Sequence, residues 1–197
     1  MSFEKVTKAY LEKFQENCKS SWEGGAKSIE MATRPVVHQY ISDLVELCQK
    51  TEDQIIIHHD VTYTKNDRPD WRIEDKNTFG IFCFGDHKNL SIEKEFDLTK
   101  SEKSQISRYL SFGRPVFVFD GIEFLFFTPD KDGFERVSII DKSKTNVSLS
   151  WASQTIDIRA EQYFKKILEN PGFRKWSEHE LIEQLAIRCR FISDEIS

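Results

Sequence analysis

Apolar positions in the first fifty residues recur at helical spacing. Over residues 3–18, Phe3, Val6, Tyr10, Phe14 and Cys18 fall on one side with charges elsewhere, which predicts an amphipathic helix. After a break at Glu23, Gly24 and Gly25, the series Ile29, Ala32, Val36, Val37, Tyr40, Ile41, Leu44 and Cys48 predicts a second helix. Proline has no amide hydrogen and is tolerated only near a first turn, so with Pro35 present this helix is expected to begin close to Thr33. From Gln54 the pattern turns to β-rich runs bounded by turn residues. Strands are predicted at 55–63, 71–74, 81–87, 116–120, 122–128 and 134–140. Residues 75–78 fit a tight connection between the second and third, and Asp120-Gly121 marks a hairpin between the fourth and fifth. Between strands three and four, residues 102–112 read as a helix that turns Ile106, Tyr109 and Leu110 toward the sheet. Helical patterns return at 156–168 and from 178 onward, the latter opened by a capping box at Ser177 and Glu180.

Helices alternating with strands predict an α/β fold, a mixed β-sheet core flanked by helices. At 197 residues and 39% hydrophobic, the chain is long enough for one well-buried core. Residues 1–150 are expected to form that domain, and 151–197 a C-terminal helical extension. No apolar run approaches the ~20 residues that span a bilayer, and the first ten residues lack the charge and apolar stretch of a signal peptide. A cytoplasmic protein is expected. Cys18, Cys48, Cys83 and Cys189 are scattered, without C-x-x-C spacing, and are expected to be reduced thiols. The net charge of -5 argues against gripping nucleic acid by bulk electrostatics. Two basic clusters, Lys65 with Arg68 and Arg72, and Lys142 with Lys144, read as solvated surface.

Candidate chemistry gathers at two strand ends. Pro69-Asp70 opens the second strand, and Asp86, His87 and Lys88 close the third. Alternate strand residues share a face, so Asp86 and Lys88 point one way and His87 the other. If the two strands pair through the 75–78 turn, both carboxylates and the lysine converge on one rim of the sheet. Two carboxylates suffice to hold Mg²⁺, which keeps several waters, and a neighbouring lysine would orient or deprotonate an attacking water. D-x-K alone is no evidence, since a sequence that is 31% charged produces it by chance. The adjacent His58 and His59 point to opposite faces and do not chelate one ion together. The many phenylalanines alternate within strands and read as sheet packing, and no P-loop, G-x-G-x-x-G or G-x-S-x-G is present.

Pro69-Asp70 followed by Asp86-x-Lys88 resembles the PD-(D/E)xK nuclease signature. Glu30, Thr33, Arg34 and Pro35 are similar to the start of the first core helix in nuclease domains of restriction-modification polypeptides, and Gln105 with Tyr109 is similar to the Gln-x-x-x-Tyr element that follows the lysine. The likeness extends through the strand-turn-strand at 119–124, and residues 183–190 resemble the helical connector into a methyltransferase domain. The resemblance implies a restriction-endonuclease-like fold at the nuclease end of a type IIG or type ISP-like enzyme. It further implies that Asp70 and Asp86 bind Mg²⁺, with Mn²⁺ as substitute, that Lys88 assists the water, and that Glu30 and Gln105 support them. Double-stranded DNA would be the substrate, methyltransferase and target-recognition domains would complete the polypeptide, and two copies would join to cut both strands. The family's residue between acid and lysine is usually small or apolar, whereas here it is His87, and Asp86 stands where glutamate is commoner. A non-catalytic module of the same fold, serving DNA binding or assembly of a defence complex, is the alternative that His87 favours.

Overall fold

Six strands form within the runs that alternation predicts: β1 (Ile55–His59), β2 (Trp71–Asp75), β3 (Ile81–His87), β4 (Val116–Phe119), β5 (Glu123–Phe127) and β6 (Glu135–Ser138). The run read as 55–63 ends at His59, where Asp60 turns left-handed, and its residues 61–63 lie outside the described residues. The structure, a computed structural model, describes residues 2–25, 28–49, 55–60, 68–90, 96–145 and 149–169. The strands lie side by side in sequence order in one sheet. All neighbours are antiparallel except β3 and β4, which run parallel and are joined by the crossover helix α3 (Lys100–Leu110). Parallel neighbours need such a crossover, whereas antiparallel ones close through short turns. At residues 75–78 the Asp75 carboxylate accepts from the amides of Asn77 and Thr78 at 2.7 and 3.0 Å. At the β4–β5 hairpin, the Asp120 N–H donates to the Glu123 carbonyl across Gly121, whose φ of +100° suits a residue without a side chain.

Both faces of the sheet are covered. Helices α1 (Phe3–Glu23), α2 (Glu30–Cys48) and α4 (Arg159–Ile167) contribute Phe14, Tyr40 and Phe164 to a core with Trp71, Phe117, Phe119 and Phe124. On the other face α3 sets Ile106 and Tyr109 against Phe84, Val116, Val118 and Leu125. Buried on both sides, β3 and β4 are the centre of the sheet, and burying each large apolar side chain is worth about 1.5–3 kcal/mol. Trp151 packs 6.1 Å from the Phe14 ring, and Ala160, Phe164, Ile167 and Leu168 join the same core, so residues 151–168 are packed on the sheet domain.

Three helix starts differ from expectation, the simplest being α4, which begins at Arg159 and not at 156. Helix α2 begins at Glu30, not near Thr33, with Pro35 in its second turn. The start is fixed from outside: Asn89 Oδ1 accepts from the Ile29 N–H at 2.9 Å, and the Thr33 hydroxyl donates to the Ile29 carbonyl at 2.9 Å. Pro35 is exposed, so water can satisfy the carbonyl its ring leaves unbonded. Helix α3 begins two residues earlier than read, because Thr99 and Glu102 form a reciprocal capping box. The expected helix from 178, its capping box, the connector at 183–190, Lys65 and Cys189 lie outside the described residues. Cys18, Cys48 and Cys83 are free thiols, and no helix among the described residues is long and apolar enough to cross a membrane.

Candidate active site

The antiparallel register of β2 and β3 pairs Trp71 with Gly85, so the next residue outward on each strand, Asp70 and Asp86, come side by side at one rim. Both are buried, at 7% and 3% exposure. The His87 N–H donates to Asp70 Oδ2 at 2.6 Å, which locks the Asp70 carboxylate to the end of β3. Lys88 continues past the strand, its N–H donating to the Phe119 carbonyl at 3.0 Å, and its ammonium pairs with Asp86. The register is held by close packing at Gly85, where a Cβ would run into the Phe117 ring.

Helix α2 adds two residues one turn apart. Asn89, the residue after Lys88, holds the N-terminus of α2 through Ile29, and Glu30 is thereby delivered to the rim. Glu30 feels Lys88, Asp70, Arg34 and Glu102. Arg34 pairs with Asp70 and also with Asp60 at 3.0 Å. Asp60 ends β1 in a left-handed conformation, φ +53°, which aspartate tolerates better than most residues. Its N–H donates to the Asp70 carbonyl at 3.1 Å, and its carbonyl accepts from Arg68 Nε at 2.8 Å.

From the other face, Glu102 in the first turn of α3 lies 3.8 Å from the Lys88 ammonium while its second oxygen completes the capping box. Gln105 is one turn further, where its amide donates to the Tyr109 hydroxyl at 2.8 Å. The structure thus brings together Asp70, Asp86, Lys88 and Glu30, while Gln105 is engaged by Tyr109.

Five carboxylates, Glu30, Asp60, Asp70, Asp86 and Glu102, face two cations, Arg34 and Lys88. Burial raises the pKa of Asp86; Lys88 opposes this and Asp70 adds to it. Burial alone would lower the pKa of Lys88, but Asp86, Glu102 and Asp70 outweigh it and the net shift is upward. Glu30 is raised, chiefly by burial, with Lys88 opposing. Among the described residues no three His, Cys, Asp or Glu side chains already form a metal cage. The donor chemistry nonetheless suits a hard divalent cation: two carboxylates forced together out of water repel, and a cation between them relieves both the repulsion and the cost of burial.

His87 points into the helix-covered core, as strand alternation requires, at 1% exposure. Burial, then His38, Arg34 and Lys88, push its pKa down to about 3, so the imidazole is neutral. Neither ring nitrogen has a hydrogen-bond partner among the described residues. Its neighbours are Trp71, at a centroid distance of 6.3 Å, and beyond it the stacked rings of His38 and His59, 4.6 Å apart. His58 points to the opposite face and meets Glu74 at 2.9 Å.

Three residues of this rim escaped the sequence reading as members of a site. Arg34 had a readable cue, the i, i+4 spacing from Glu30, and Glu102 had one in Thr99-x-x-Glu102. For Asp60 the sequence carries no cue. The solvated-surface reading of Lys142 is corrected, since it pairs with the fully buried Asp120 at 2.8 Å and with Glu123 at 3.5 Å, an ion pair that closes the β4–β5 hairpin onto the following turn.

No family model and no curated protein matches this chain. Among solved structures, the chain is similar to one in the cryoEM structure of a DrdV–DNA complex, with a TM-score of 0.55 and 16% identity over 85% of this chain. A second is the type IIG restriction endonuclease BpuSI, with a TM-score of 0.42 and 11% identity over 85% of this chain. The matched regions span 14% and 16% of those two chains. The six-stranded mixed sheet flanked by helices is therefore the fold of that part of the DrdV chain, a restriction-endonuclease-like α/β fold.

Proposed function

We propose that this chain is the nuclease portion of a restriction-modification enzyme of the PD-(D/E)xK kind and hydrolyses phosphodiester bonds of double-stranded DNA with Mg²⁺, for which Mn²⁺ would substitute. The observation that carries this reading is the adjacency of Asp70 and Asp86 one step beyond the Trp71–Gly85 pair that ends the β2–β3 ladder, with Lys88 on Asp86. Asp70 and Asp86 would hold the cation, which when bound supplies charge neutralisation and a more acidic water. The raised pKa of Lys88 favours a protonated role: it would donate to the attacking water and offset charge on the phosphate, rather than act as base. Glu30, with its raised pKa, is suited to take up a proton at the same rim. Gln105, bonded to Tyr109, would support from α3.

Because the chain spans 14% of the DrdV chain, the larger enzyme is inferred as well. Methyltransferase and target-recognition domains would supply most of the grip on DNA, which fits a net charge of -5. Double-strand cleavage would join two copies, and the enzyme would work in the cytoplasm.

A second reading, a non-catalytic module for DNA binding or assembly, is favoured by one observation: Arg34 and Lys88 already sit on the two carboxylates. Nicking of supercoiled plasmid by the full-length polypeptide tests both. The nuclease reading expects Mg²⁺-dependent nicking that falls at least about a hundredfold in Lys88→Ala, the scale of removing one charge-stabilising donor. Retained DNA binding with no nicking in either protein supports the second reading and sinks the first.

A further inference from the structure

Arg34 bridges two acids that close adjacent strands. It pairs with Asp70, a candidate cation ligand, and with Asp60, 3.0 Å away on the end of β1. The two acids differ in what surrounds them. The Asp70 side chain is 11% exposed and its other oxygen is taken by the His87 N–H, whereas the Asp60 side chain is 34% exposed. Asp60 is also built into place: its left-handed backbone is held by hydrogen bonds to Asp70 and from Arg68. A cation entering between Asp70 and Asp86 must compete with the guanidinium for Asp70 Oδ1. Leaving a half-buried guanidinium with no acid in reach would be costly. Asp60 removes that cost, because Arg34 stays paired when it lets Asp70 go.

We propose that Arg34 is an internal counter-ion that exchanges between Asp70 and Asp60, and that Asp60 is the seat which lets a divalent cation load at Asp70. The proposal rests on the metal-site reading of Asp70 and Asp86. Arg34 and Asp60 are positioning residues in it. A single guanidinium nitrogen, Nη2, contacts both carboxylates, so Arg34 can release Asp70 without losing its contact to Asp60.

The test is calorimetric titration of the full-length polypeptide with Mn²⁺ alone, without DNA. Arg34→Gln frees Asp70 and is expected to tighten Mn²⁺ binding about tenfold, the scale of one lost charge-assisted hydrogen bond. Asp60→Asn confines Arg34 to Asp70 and is expected to weaken binding several-fold, but to have little further effect in the Arg34→Gln background. Arg34→Lys, which keeps a cationic nitrogen at this position and guards against a folding defect, is expected to retain the coupling. A purely electrostatic role for the two residues would give additive effects in the double variant, and additivity overturns the exchange. Failure of wild type to take up Mn²⁺, with Asp70→Asn indistinguishable from it, overturns the metal-site reading and this inference together. Uptake that is abolished by Asp70→Asn yet indifferent to Arg34→Gln overturns this inference alone.

Discussion

The backbone N–H of His87 donates to the Asp70 carboxylate at 2.6 Å, so the two strands are joined at their chemical end by a side chain and not only by the ladder. The bond fixes Asp70 beside Asp86 whatever happens to the His87 ring. Backbone and side chain of residue 87 therefore do separate work, the first at the rim and the second in the core. That separation makes the following substitutions informative.

Replacing His87 by Leu should stabilise the protein. The imidazole is neutral and buried, and both nitrogens are without partners among the described residues. An unsatisfied buried polar group costs about 1–3 kcal/mol, so a gain of about 1 kcal/mol is expected in urea unfolding at pH 7.5. Nicking activity should persist, because the amide that holds Asp70 is unchanged. A loss of stability would reveal a partner for the ring.

Glu102 has two functions that two substitutions separate. Glu102→Gln can still complete the capping box and should leave the melting temperature almost unchanged. It removes the negative charge 3.8 Å from Lys88 and should lower the pKa of that ammonium, read from its NMR titration. Glu102→Ala should show the same pKa change together with a measurable drop in melting temperature, because the Thr99 N–H and hydroxyl lose their acceptor while Thr99 still caps the helix. An unmoved Lys88 titration in both variants would refute the coupling.

Gly85→Ala should damage stability and site together. The new Cβ runs into the Phe117 ring, which packs against Trp71 at 5.6 Å and Phe164 at 5.3 Å and has no space to retreat. Overpacking of this kind costs about 1–3 kcal/mol. Since the displaced backbone carries Asp86, nicking at a temperature where the variant remains folded should fall too; wild-type nicking there would show that the rim tolerates the shift.

Acid should weaken the fold through His38 and His59. Burial is the main force lowering both pKa values; for His38, the charges of His59 and Arg34 add to it while Asp60 and Asp70 oppose, and for His59, Asp60 opposes and His58 adds. The unfolded chain takes up these protons near pH 6.5 and the folded chain only at lower pH. Below about 6.5 the unfolded state binds more protons, so this contribution to stability is complete above that pH and is lost as pH falls. Because the raised carboxyls of Asp86 and Glu30 act in the opposite sense, the measurement is differential: lowering the pH from 7.5 to 5.5 should shift the urea midpoint less toward instability in His38→Gln than in wild type. Equal pH slopes in wild type and variant would dismiss His38 as a contributor.

The hydrophobic pattern located all six strands and the turn side chains between β2 and β3, because burial alternates with the pleat and turns need particular residues. Pairing of β2 with β3 through residues 75–78 then brings Asp70, Asp86 and Lys88 to one edge of the sheet, which the register bears out. The first residues of α2 and α3 were misplaced. For α2, the anchor was Asn89, sixty residues away from Ile29, and no local window contains both. For α3, the capping box of Thr99 and Glu102 sets the start ahead of the first apolar position that faces the sheet.

By itself the sequence determined which residues alternate, which face each strand residue takes, and that two acids and a lysine stand at strand ends; these follow from local periodicity and backbone geometry. Only the tertiary structure decided that Arg34 from α2, Asp60 from the bend after β1 and Glu102 from α3 surround those three groups. Periodicity says which way a side chain points, but not what stands opposite it. That depends on register and helix docking, set by the burial of Trp71, Phe117 and Tyr109 far along the chain from one another.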